Sequence, residues 1–300
     1  MKRILLPLTA RPHRARMKLL IEELGKYFDL DLWEPKERKG DMAVNAILYG
    51  IEFNNYLAGK DYDAIIIRGD RYEMGMLAIV GAYKNIPLIH IEGGDMSGVI
   101  DNKIRHCITQ LADFHFVTNE ESHKRLINMG VATDRVWNFG SLDVEFASKV
   151  EPKQLREEPY LLIAYHPIEG EDEKEVDKAL ENFKDYVKIR IGSNTDYGKK
   201  YGEEEFSPED YINLMRGAKV CIGNSSSLLK EASILEVPVV NIGGRQDKRL
   251  KPKNVLDVLC ESNRILQAIL YQWQHKFKKD LIYFKENTSQ EIASKLKEVL

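Results

Sequence analysis

The sequence predicts an α/β protein made of two Rossmann-like domains that face one another across a cleft. Short apolar, β-branched segments alternate with segments whose apolar residues recur every three or four positions, which is typical of a parallel sheet covered by helices. A charged, proline-punctuated segment, SKVEPKQLREEPY at 148–160, interrupts this alternation, which then begins again. We therefore expect an N-terminal domain over 1–150 and a C-terminal domain over 151–300, whose last helix packs back on the N-terminal domain.

The composition excludes several classes of protein. The 300 residues are 43% hydrophobic, enough for a sizeable core, and the formal net charge of −3 with dispersed basic residues does not favour a nucleic-acid partner. No apolar run approaches the roughly 20 residues that span a bilayer, so no membrane partner is expected. The three cysteines are widely spaced and are expected to be reduced thiols, with no metal site. We expect a cytoplasmic protein.

The first half carries the predicted strands and helices in strict alternation. Its predicted strands are RILLPL at 3–8, DAIIIRG at 63–69, IPLIHIEGG at 86–94, FHFVTN at 114–119 and RVWNFG at 135–140. The helical segments between them are RMKLLIEELGKYF, YEMGMLAIVGAYKN, IDNKIRHCITQLA and EESHKRLINMG. The apolar spacing of three and four residues predicts that each of these helices covers the sheet with one face.

The second half repeats the same alternation. Its predicted strands are YLLIAYHP at 160–167, YVKIRIG at 186–192, KVCIGN at 219–224 and VPVVNIG at 237–243. Predicted helices lie at about 171–186, at 207–218 and directly after the segment GNSSS. A second parallel sheet follows from this pattern.

Polar residues gather where the predicted strands end, which is where open α/β sheets bind ligands. Asp70 and Glu92 follow two strands of the first half, Asp101 opens the next helix, and His166 follows the first strand of the second half. Neighbouring carboxylates raise one another's pKa, so this set could supply a general acid or base near neutral pH. Each carboxylate also has a structural alternative. Asp70 and Asp101 could be helix N-caps, and Glu92 could be the ion-pair partner of Arg105.

The segment GNSSSLLKEA at 223–232 predicts a phosphate site. Small residues between a strand and a helix let backbone N–H groups approach an anion, and the start of the helix adds the positive end of its dipole. Glu231 lies two turns into that helix, within reach of a ribose diol. The alternative is an N-capping serine with no ligand. His90, His106 and His115 lie in or beside apolar segments and are expected to be packed or hydrogen-bonded.

Six motifs together resemble the UDP-N-acetylglucosamine 2-epimerase family, and most closely its hydrolysing branch. They are GDRYE (69–73), HIEGGDMSGVIDNKIRH (90–106), HP (166–167), SNTD (193–196), GNSSSLLKEA (223–232) and NIGGRQDKR (241–249). The resemblance covers about residues 61–260. It implies a glycosyltransferase-B type fold in which the C-terminal domain holds the nucleotide.

The resemblance also implies roles for individual residues. Those implied to be catalytic are Asp70, Glu92, Asp101 and His166. Those implied to bind the substrate are Arg11, Arg71, Arg105, Asn194, Ser225, Ser226, Ser227, Glu231 and Arg245. It implies no cofactor and no metal, a nucleotide-sugar substrate, and a homodimer.

The expected reaction is the conversion of UDP-N-acetylglucosamine, or a close relative, to N-acetylmannosamine and UDP by elimination and then hydration, at the head of sialic acid biosynthesis. Inverting C2 of an N-acetyl sugar requires a base for a poorly acidic proton and stabilisation of the departing diphosphate, and the candidate residues provide both. A non-hydrolysing 2-epimerase and a glycosyltransferase of the same fold are the alternatives. A non-catalytic nucleotide-sugar sensor is a further hypothesis.

Overall fold

The computed structural model of the chain describes residues 1–9, 11–191 and 206–300, except for the side chains of residues 11–13. The described chain divides into two compact units. Unit 1 contains Met1–Asp95, Val99–Glu145 and Lys285–Leu300, and unit 2 contains Met96–Gly98 and Phe146–Phe284. None of the described helices is long and apolar enough to cross a membrane.

Unit 1 is built on a six-stranded parallel sheet. Its strands are β1 (Arg3–Pro7), β2 (Asp29–Trp33), β3 (Ala64–Arg68), β4 (Leu88–Ile91), β5 (Phe114–Val117) and β6 (Val136–Asn138). Their order is β2-β1-β3-β4-β5-β6, and every neighbouring pair runs in parallel. The chain moves from β1 to one side and returns to place β3 on the other, so the switch point of this sheet lies between β1 and β3.

Helices cover both faces of this sheet. They are α1 (Arg11–Arg16), α2 (Lys18–Leu24), α3 (Met42–Leu57), α4 (Tyr72–Tyr83), α5 (Asp101–Leu111), α6 (Glu120–Asn128), α7 (Leu142–Lys149) and, from the end of the chain, α12 (Thr288–Val299). The helix α7 leads from unit 1 into unit 2, and α12 contacts α2 within unit 1. Connections between parallel strands of one sheet are almost always right-handed, so a sheet whose strand order extends to both sides of β1 carries helices on both faces.

Alternation along the strands divides the core of unit 1 into two layers. Ile4 and Leu6 of β1 point to one face and belong to the cluster that contains residues of α2 and α12. Leu5 points to the other face, where Phe53 of α3 and Leu77 of α4 pack. All five side chains are fully buried, and burying each contributes roughly 1.5–3 kcal/mol.

Unit 2 is built on a five-stranded parallel sheet. Its strands are β7 (Tyr160–Ala164), β8 (Val187–Arg190), β9 (Val220–Gly223), β10 (Val239–Ile242) and β11 (Val255–Val258), in the order β11-β10-β9-β7-β8. Its described helices are α8 (Glu173–Leu180), α9 (Pro208–Gly217), α10 (Ser226–Ile234) and α11 (Ser262–Gln274). The switch point lies between β7 and β9, so His166 and the GNSSS segment follow the two strands that flank it.

The predicted strands are confirmed, with ends that differ by at most three residues. The strands β2 and β11 and the helices α1, α3, α7 and α11 were not predicted. The strand β2 was not predicted because it lies at the edge of the sheet and its residues are partly exposed. Its sequence DLDLW is therefore more polar than the apolar runs of the central strands. The predicted fold class, two Rossmann-like domains, is confirmed by the two parallel sheets.

Candidate active site

Asp70 follows β3 at the carboxyl edge of the sheet of unit 1. Its carboxylate pairs with the guanidinium of Arg105, whose side chain is 2% exposed and lies on α5. Arg105 also donates from Nη1 to the backbone oxygen of Asp95 at 2.7 Å. Asp70 does not cap α4, because Arg71 occupies the N-cap position. The ion pair therefore replaces the alternative interpretation of Asp70 as a helix cap.

Asp101 is the first residue of α5 and is partly buried. The N-cap position belongs to Ile100, so the interpretation of Asp101 as an N-cap is also wrong. Asp101 and Arg105 are four residues apart on one helix, and side chains at this spacing lie on the same face. The carboxylate of Asp101 is thus on the face of α5 that carries the partner of Asp70.

Glu92 lies just after β4 with a positive φ of 68°, a backbone conformation that side-chain-bearing residues adopt at a cost. Its Oε1 atom accepts from Arg68 Nη2 at 3.3 Å and from Ser141 Oγ at 3.3 Å. Arg68 also contacts Asp143 Oδ1 at 2.7 Å. A buried arginine therefore fixes the position of Glu92, and a strained backbone presents it at the sheet edge.

Arg68 is buried between these two carboxylates. Burial alone would lower the pKa of its guanidinium, but attraction by Asp143 and then by Glu92 outweighs it and raises the pKa. The guanidinium is thus firmly charged and can compensate the negative charge of its partners.

Arg71 is held against a neighbouring carboxylate rather than left extended into solvent. Its Nε atom donates to Glu73 Oε1 at 2.5 Å, and the Thr9 hydroxyl donates to the same oxygen at 2.8 Å. Thr9 follows β1, so this contact joins the two strand ends that flank the switch point of unit 1. Arg11 is the first residue of α1, and its side chain lies outside the described part of the structure.

The expectation that His90 and His115 are packed is confirmed. His90 is fully buried, with Nε2 3.0 Å from the Gly69 oxygen and Nδ1 3.2 Å from Thr109 Oγ1. A carbonyl oxygen only accepts, so Nε2 carries the proton. Burial lowers the pKa of His90 to about 4 and that of His115 to about 3, with His90 as a second cause. His90 thereby supports the turn that carries Asp70.

His106 is partly buried, and its Nε2 lies 3.3 Å from Asn102 Nδ2. Burial lowers the pKa of His106, and the positive charges of Arg105 and then Arg125 lower it further. The structure thus places His106 beside the arginines of the site as a neutral side chain.

In unit 2, the GNSSS segment forms the turn between β9 and α10. Gly223 has φ 142°, and a Cβ atom there would lie 2.1 Å from the Ala164 oxygen, so only glycine lets the ends of β7 and β9 approach. Ser225 occupies the N-cap of α10 but makes no capping hydrogen bond with its side chain. Its Oγ lies 2.9 Å from Ser227 Oγ, which lies 2.6 Å from the Tyr211 hydroxyl.

This turn presents the start of α10 at the carboxyl edge of the sheet. Ser226 is the first residue of the helix and is partly exposed, and Glu231 lies further along it and is buried. The first N–H groups of a helix and its dipole favour an anion at this position. The GNSSS segment therefore forms the strand-to-helix turn on which the predicted phosphate site depends.

His166 and Arg245 converge on the same turn. The His166 backbone is hydrogen-bonded to the side chain of Asn224, and Arg245 Nη1 donates to the Asn224 oxygen at 3.2 Å. Burial, and then the positive charge of Arg245, lower the pKa of His166 to about 4. At neutral pH the imidazole is therefore a neutral hydrogen-bonding group. Asn194 lies outside the described residues.

The structure thus brings the predicted residues together in two sets. Within unit 1 the set contains Asp70, Arg71, Glu92, Asp101 and Arg105. Within unit 2 it contains His166, Ser225, Ser226, Ser227 and Arg245, with Glu231 on the same helix as the serines. In the described part of the chain, no cluster of three or more His, Cys, Asp or Glu could hold a metal ion.

Sequence reasoning missed three further residues of these sets, namely Arg68, Asp143 and Asn224. Arg68 had a usable signal, because it is the one charged residue in the apolar run of β3 and so needed a buried partner. Asp143 carried no such signal. Asn224 lies within the GNSSS segment, but the sequence does not show that its side chain pairs with the backbone of His166.

Known proteins resemble this chain in sequence and in fold. A family model described as UDP-N-acetylglucosamine 2-epimerase matches residues 13–297. Polysialic acid biosynthesis protein P7 of Escherichia coli is 34% identical in an alignment of 272 residues that covers 78% of this chain and 70% of that protein. GDP/UDP-N,N'-diacetylbacillosamine 2-epimerase (hydrolyzing) of Campylobacter jejuni is 33% identical in an alignment of 252 residues that covers 73% of this chain and 65% of that protein.

The chain therefore spans about two thirds of the length of these curated relatives. Among solved structures, UDP-GlcNAc 2-epimerase of Methanocaldococcus jannaschii in complex with UDP-GlcNAc and UDP superposes with a TM-score of 0.83 over 99% of both chains, at 16% identity. That likeness shows the glycosyltransferase-B type fold. With the family match over nearly the whole sequence, the chain belongs to the UDP-N-acetylglucosamine 2-epimerase family.

Proposed function

We propose that this protein is a hydrolysing nucleotide-sugar 2-epimerase, which converts UDP-N-acetylglucosamine or a close relative, with one water, to N-acetylmannosamine and UDP. The observation that carries the proposal is the group of carboxylates at the sheet edge of unit 1. Asp70 and Glu92 are each fixed by a buried arginine, and Asp101 lies one helical turn from the first of these arginines.

The carboxylates of unit 1 would perform the proton transfers. One of Asp70, Glu92 and Asp101 would remove the proton from C2 of the sugar while the bond from C1 to the diphosphate oxygen breaks. The electron pair of the C2–H bond then forms the C1–C2 double bond of a glycal, and UDP leaves with the bonding pair of the C1–O bond. Holding the carboxylates in place before reaction is what general base catalysis requires.

The groups of unit 2 would hold the departing nucleotide. The start of α10 with Ser226 and Ser227 would bind the diphosphate through N–H and O–H groups, and Arg245 would add positive charge. The neutral His166 would donate a hydrogen bond to a phosphate oxygen. Glu231 would accept hydrogen bonds from the ribose hydroxyls. Such donors stabilise negative charge as it develops on the leaving group.

Hydration of the glycal would complete the reaction. A second carboxylate takes a proton from water as its oxygen bonds to C1, and C2 accepts a proton on the face opposite to the one first deprotonated. Atoms balance, because one water enters and the two products are the free 2-epimeric sugar and UDP. Arg11, Arg71 and Arg105 would bind the sugar portion of the substrate, and Arg105 would also hold Asp70 in place.

The hydrolysing outcome is supported by the names of two relatives, diacetylbacillosamine 2-epimerases that carry the word hydrolyzing. Another relative, from Neisseria meningitidis, is named UDP-N-acetylglucosamine 2-epimerase and is 32% identical over 235 residues. The sugar could therefore be N-acetylglucosamine or a diacetamido sugar. We propose that the domain over residues 1–150 carries the proton-transfer groups and that the domain over residues 151–300 binds the nucleotide. We also propose a cytoplasmic location, which is consistent with three free cysteines.

We also propose that two copies of the chain associate. The helix α3 exposes an apolar stripe of Val44 (55%), Ile47 (56%) and Ile51 (55%), at the spacing of one helix face. Covering this stripe with the same stripe of a second copy would remove it from water. Sedimentation should give a dimer for the native chain and a monomer for Ile47→Lys. Glu121→Lys, on the exposed face of α6, is the control and should remain dimeric.

Product analysis tests the proposed reaction. Purified protein is incubated with UDP-N-acetylglucosamine, and nucleotides and free sugars are separated by chromatography. Equal amounts of UDP and free N-acetylmannosamine are expected. UDP-N-acetylmannosamine as the product would replace the proposal by a non-hydrolysing epimerase, and turnover that requires an added sugar acceptor would replace it by a glycosyltransferase.

A further inference from the structure

Asn224 occupies a position in unit 2 where three chain segments meet. Its side chain is fully buried between the end of β7 and the loop that follows β10. The Oδ1 atom accepts from the His166 backbone N–H at 2.7 Å, and Nδ2 donates to the His166 oxygen at 2.8 Å. The oxygen and the nitrogen of the side-chain amide are therefore both hydrogen-bonded to the backbone of His166.

The backbone of Asn224 extends these contacts. Its N–H donates to the Ala164 oxygen at 3.1 Å, which fixes it to the end of β7. Its own oxygen accepts from Gln246 Nε2 at 2.8 Å and from Arg245 Nη1 at 3.2 Å. One residue thus contacts the segments that carry His166 and Arg245, and it directly precedes Ser225.

Asparagine suits this position for a chemical reason. The side-chain amide offers a donor and an acceptor in one plane, like a peptide group, and so can pair with both the N–H and the oxygen of another residue. An ionised aspartate only accepts, a serine is too short to span both atoms, and an alanine leaves the His166 N–H and oxygen without these partners. A buried polar group that loses its partner costs more than the hydrogen bond itself contributed.

We propose that Asn224 is a positioning residue for the diphosphate-binding groups. It sets His166, Arg245 and the serine turn in one arrangement before the nucleotide arrives, without touching the nucleotide itself. This inference rests on the proposed function, because it assigns the diphosphate to this part of unit 2. Its consequence is that the loss of Asn224 weakens UDP binding even when the fold of unit 2 is intact.

The variants Asn224→Ala and Asn224→Asp test this, with UDP as the probe and isothermal titration calorimetry as the measurement. We expect UDP to bind about 10-fold to 100-fold more weakly to both variants, the effect of one to two lost hydrogen bonds. Asn224→Asp has the size of the native residue, so it separates the loss of the donor from the loss of volume. If Asn224→Ala does not fold, Asn224→Asp alone still tests the effect of the lost donor on UDP binding.

Asn254 provides the matched control. It is also a buried asparagine of unit 2, and its Nδ2 donates to the backbone oxygens of Val237 at 2.6 Å and Ala232 at 3.2 Å. Asn254→Ala should therefore lower the thermal stability as Asn224→Ala does, yet bind UDP with the native Kd. Hydrogen exchange adds a readout without ligand. The His166 amide should exchange faster in Asn224→Ala than in the native protein and in Asn254→Ala.

The outcomes separate the inference from the proposed function. Native UDP affinity in both Asn224 variants overturns the inference, and so does equal weakening in Asn224→Ala and Asn254→Ala, which would show a general loss of stability. Native protein that binds UDP but forms no free sugar contradicts the proposed function and leaves the inference supported by the binding data. Native protein that does not bind UDP overturns both.

Discussion

Arg68 and Glu92 form a buried ion pair at the ends of neighbouring strands, with 3.3 Å between Nη2 and Oε1. The same guanidinium contacts Asp143 at 2.7 Å, so one positive charge serves two carboxylates. Removing one member of a buried pair leaves an uncompensated charge, which is more costly than removing all members together.

We therefore expect Arg68→Met to lower the free energy of unfolding by roughly 3–5 kcal/mol. The triple change Arg68→Met, Asp143→Asn and Glu92→Gln should restore most of that stability, although it removes the activity that depends on Glu92. Urea unfolding at neutral pH measures both values. A triple variant that is less stable than Arg68→Met alone would contradict the assigned ion pair.

The carboxylates of unit 1 should affect turnover but not nucleotide affinity. Asp70→Asn, Glu92→Gln and Asp101→Asn remove a charge with little change in size, and loss of a general acid or base lowers kcat by about 100-fold to 10,000-fold. The UDP Kd should stay native, since the groups proposed to bind UDP belong to unit 2. Steady-state kinetics and calorimetry measure the two quantities.

Asp134→Asn is the control for these three variants, because Asp134 is an exposed carboxylate of unit 1 in a short 3-10 turn. It should leave kcat unchanged. If Asp101→Asn also retained native turnover, Asp101 would have no part in the proton transfers.

Gly223 should tolerate no side chain. In Gly223→Ala the new methyl group would lie 2.1 Å from the Ala164 oxygen, and the backbone has a positive φ of 142°. We expect a loss of roughly 3 kcal/mol or more from overpacking and strain. Thermal unfolding of the variant measures it.

Gly59→Ala separates the two causes. Gly59 also has a positive φ, 71°, but no atom lies within 4 Å of the added methyl group. Its substitution should cost only about 1 kcal/mol, from backbone strain alone. Equal losses in the two variants would mean that the close approach of β7 and β9 contributes nothing.

His90 should make the stability of unit 1 depend on pH. Its pKa falls from 6.5 to about 4 on folding, with burial as the largest cause, so between these values the unfolded chain binds the extra proton. The stabilising contribution is complete above pH 6.5 and is lost as the pH falls toward 4, in total roughly 3 kcal/mol. Urea unfolding measures the free energy of unfolding at pH 7 and at pH 4.5. The difference between the two values should be smaller for His90→Gln than for the native protein.

Thr109→Val provides the comparison for His90→Gln. It removes the Thr109 Oγ1 atom that lies 3.2 Å from His90 Nδ1 but keeps the imidazole buried. Its stability should be lower at both pH values while the difference between them is retained. An unchanged pH dependence in His90→Gln would assign the acid sensitivity to other groups.

Much of the fold was predictable because the central strands of a parallel sheet are buried on both faces and read as apolar runs. Ile65, Ile66 and Ile67 in β3 illustrate this, since all three are fully buried. The edge strand β2 was not predicted because its residues are partly exposed and its sequence is less apolar. The helix α3 was not predicted because its exposed face carries apolar residues such as Ile47 instead of polar ones.

The candidate site residues that directly follow a strand in the sequence could be predicted, because the end of the strand fixes their position. Asp70, Glu92 and His166 were placed correctly at the carboxyl edges of the two sheets. Their partners were less accessible, because the pairing of Arg68 with Asp143 joins residues that are 75 positions apart in number and depends on tertiary packing. The role we propose for Asn224 likewise depends on hydrogen bonds to a residue 58 positions away.

Proton NMR in deuterated water tests the central claim, that UDP leaves by elimination and the glycal is then hydrated. The protein is incubated with UDP-N-acetylglucosamine, and the anomeric and C2 signals of the sugar are followed. The account predicts free N-acetylmannosamine with deuterium at C2, released together with UDP. Free sugar that retains its C2 proton, or UDP release without inversion at C2, would contradict it.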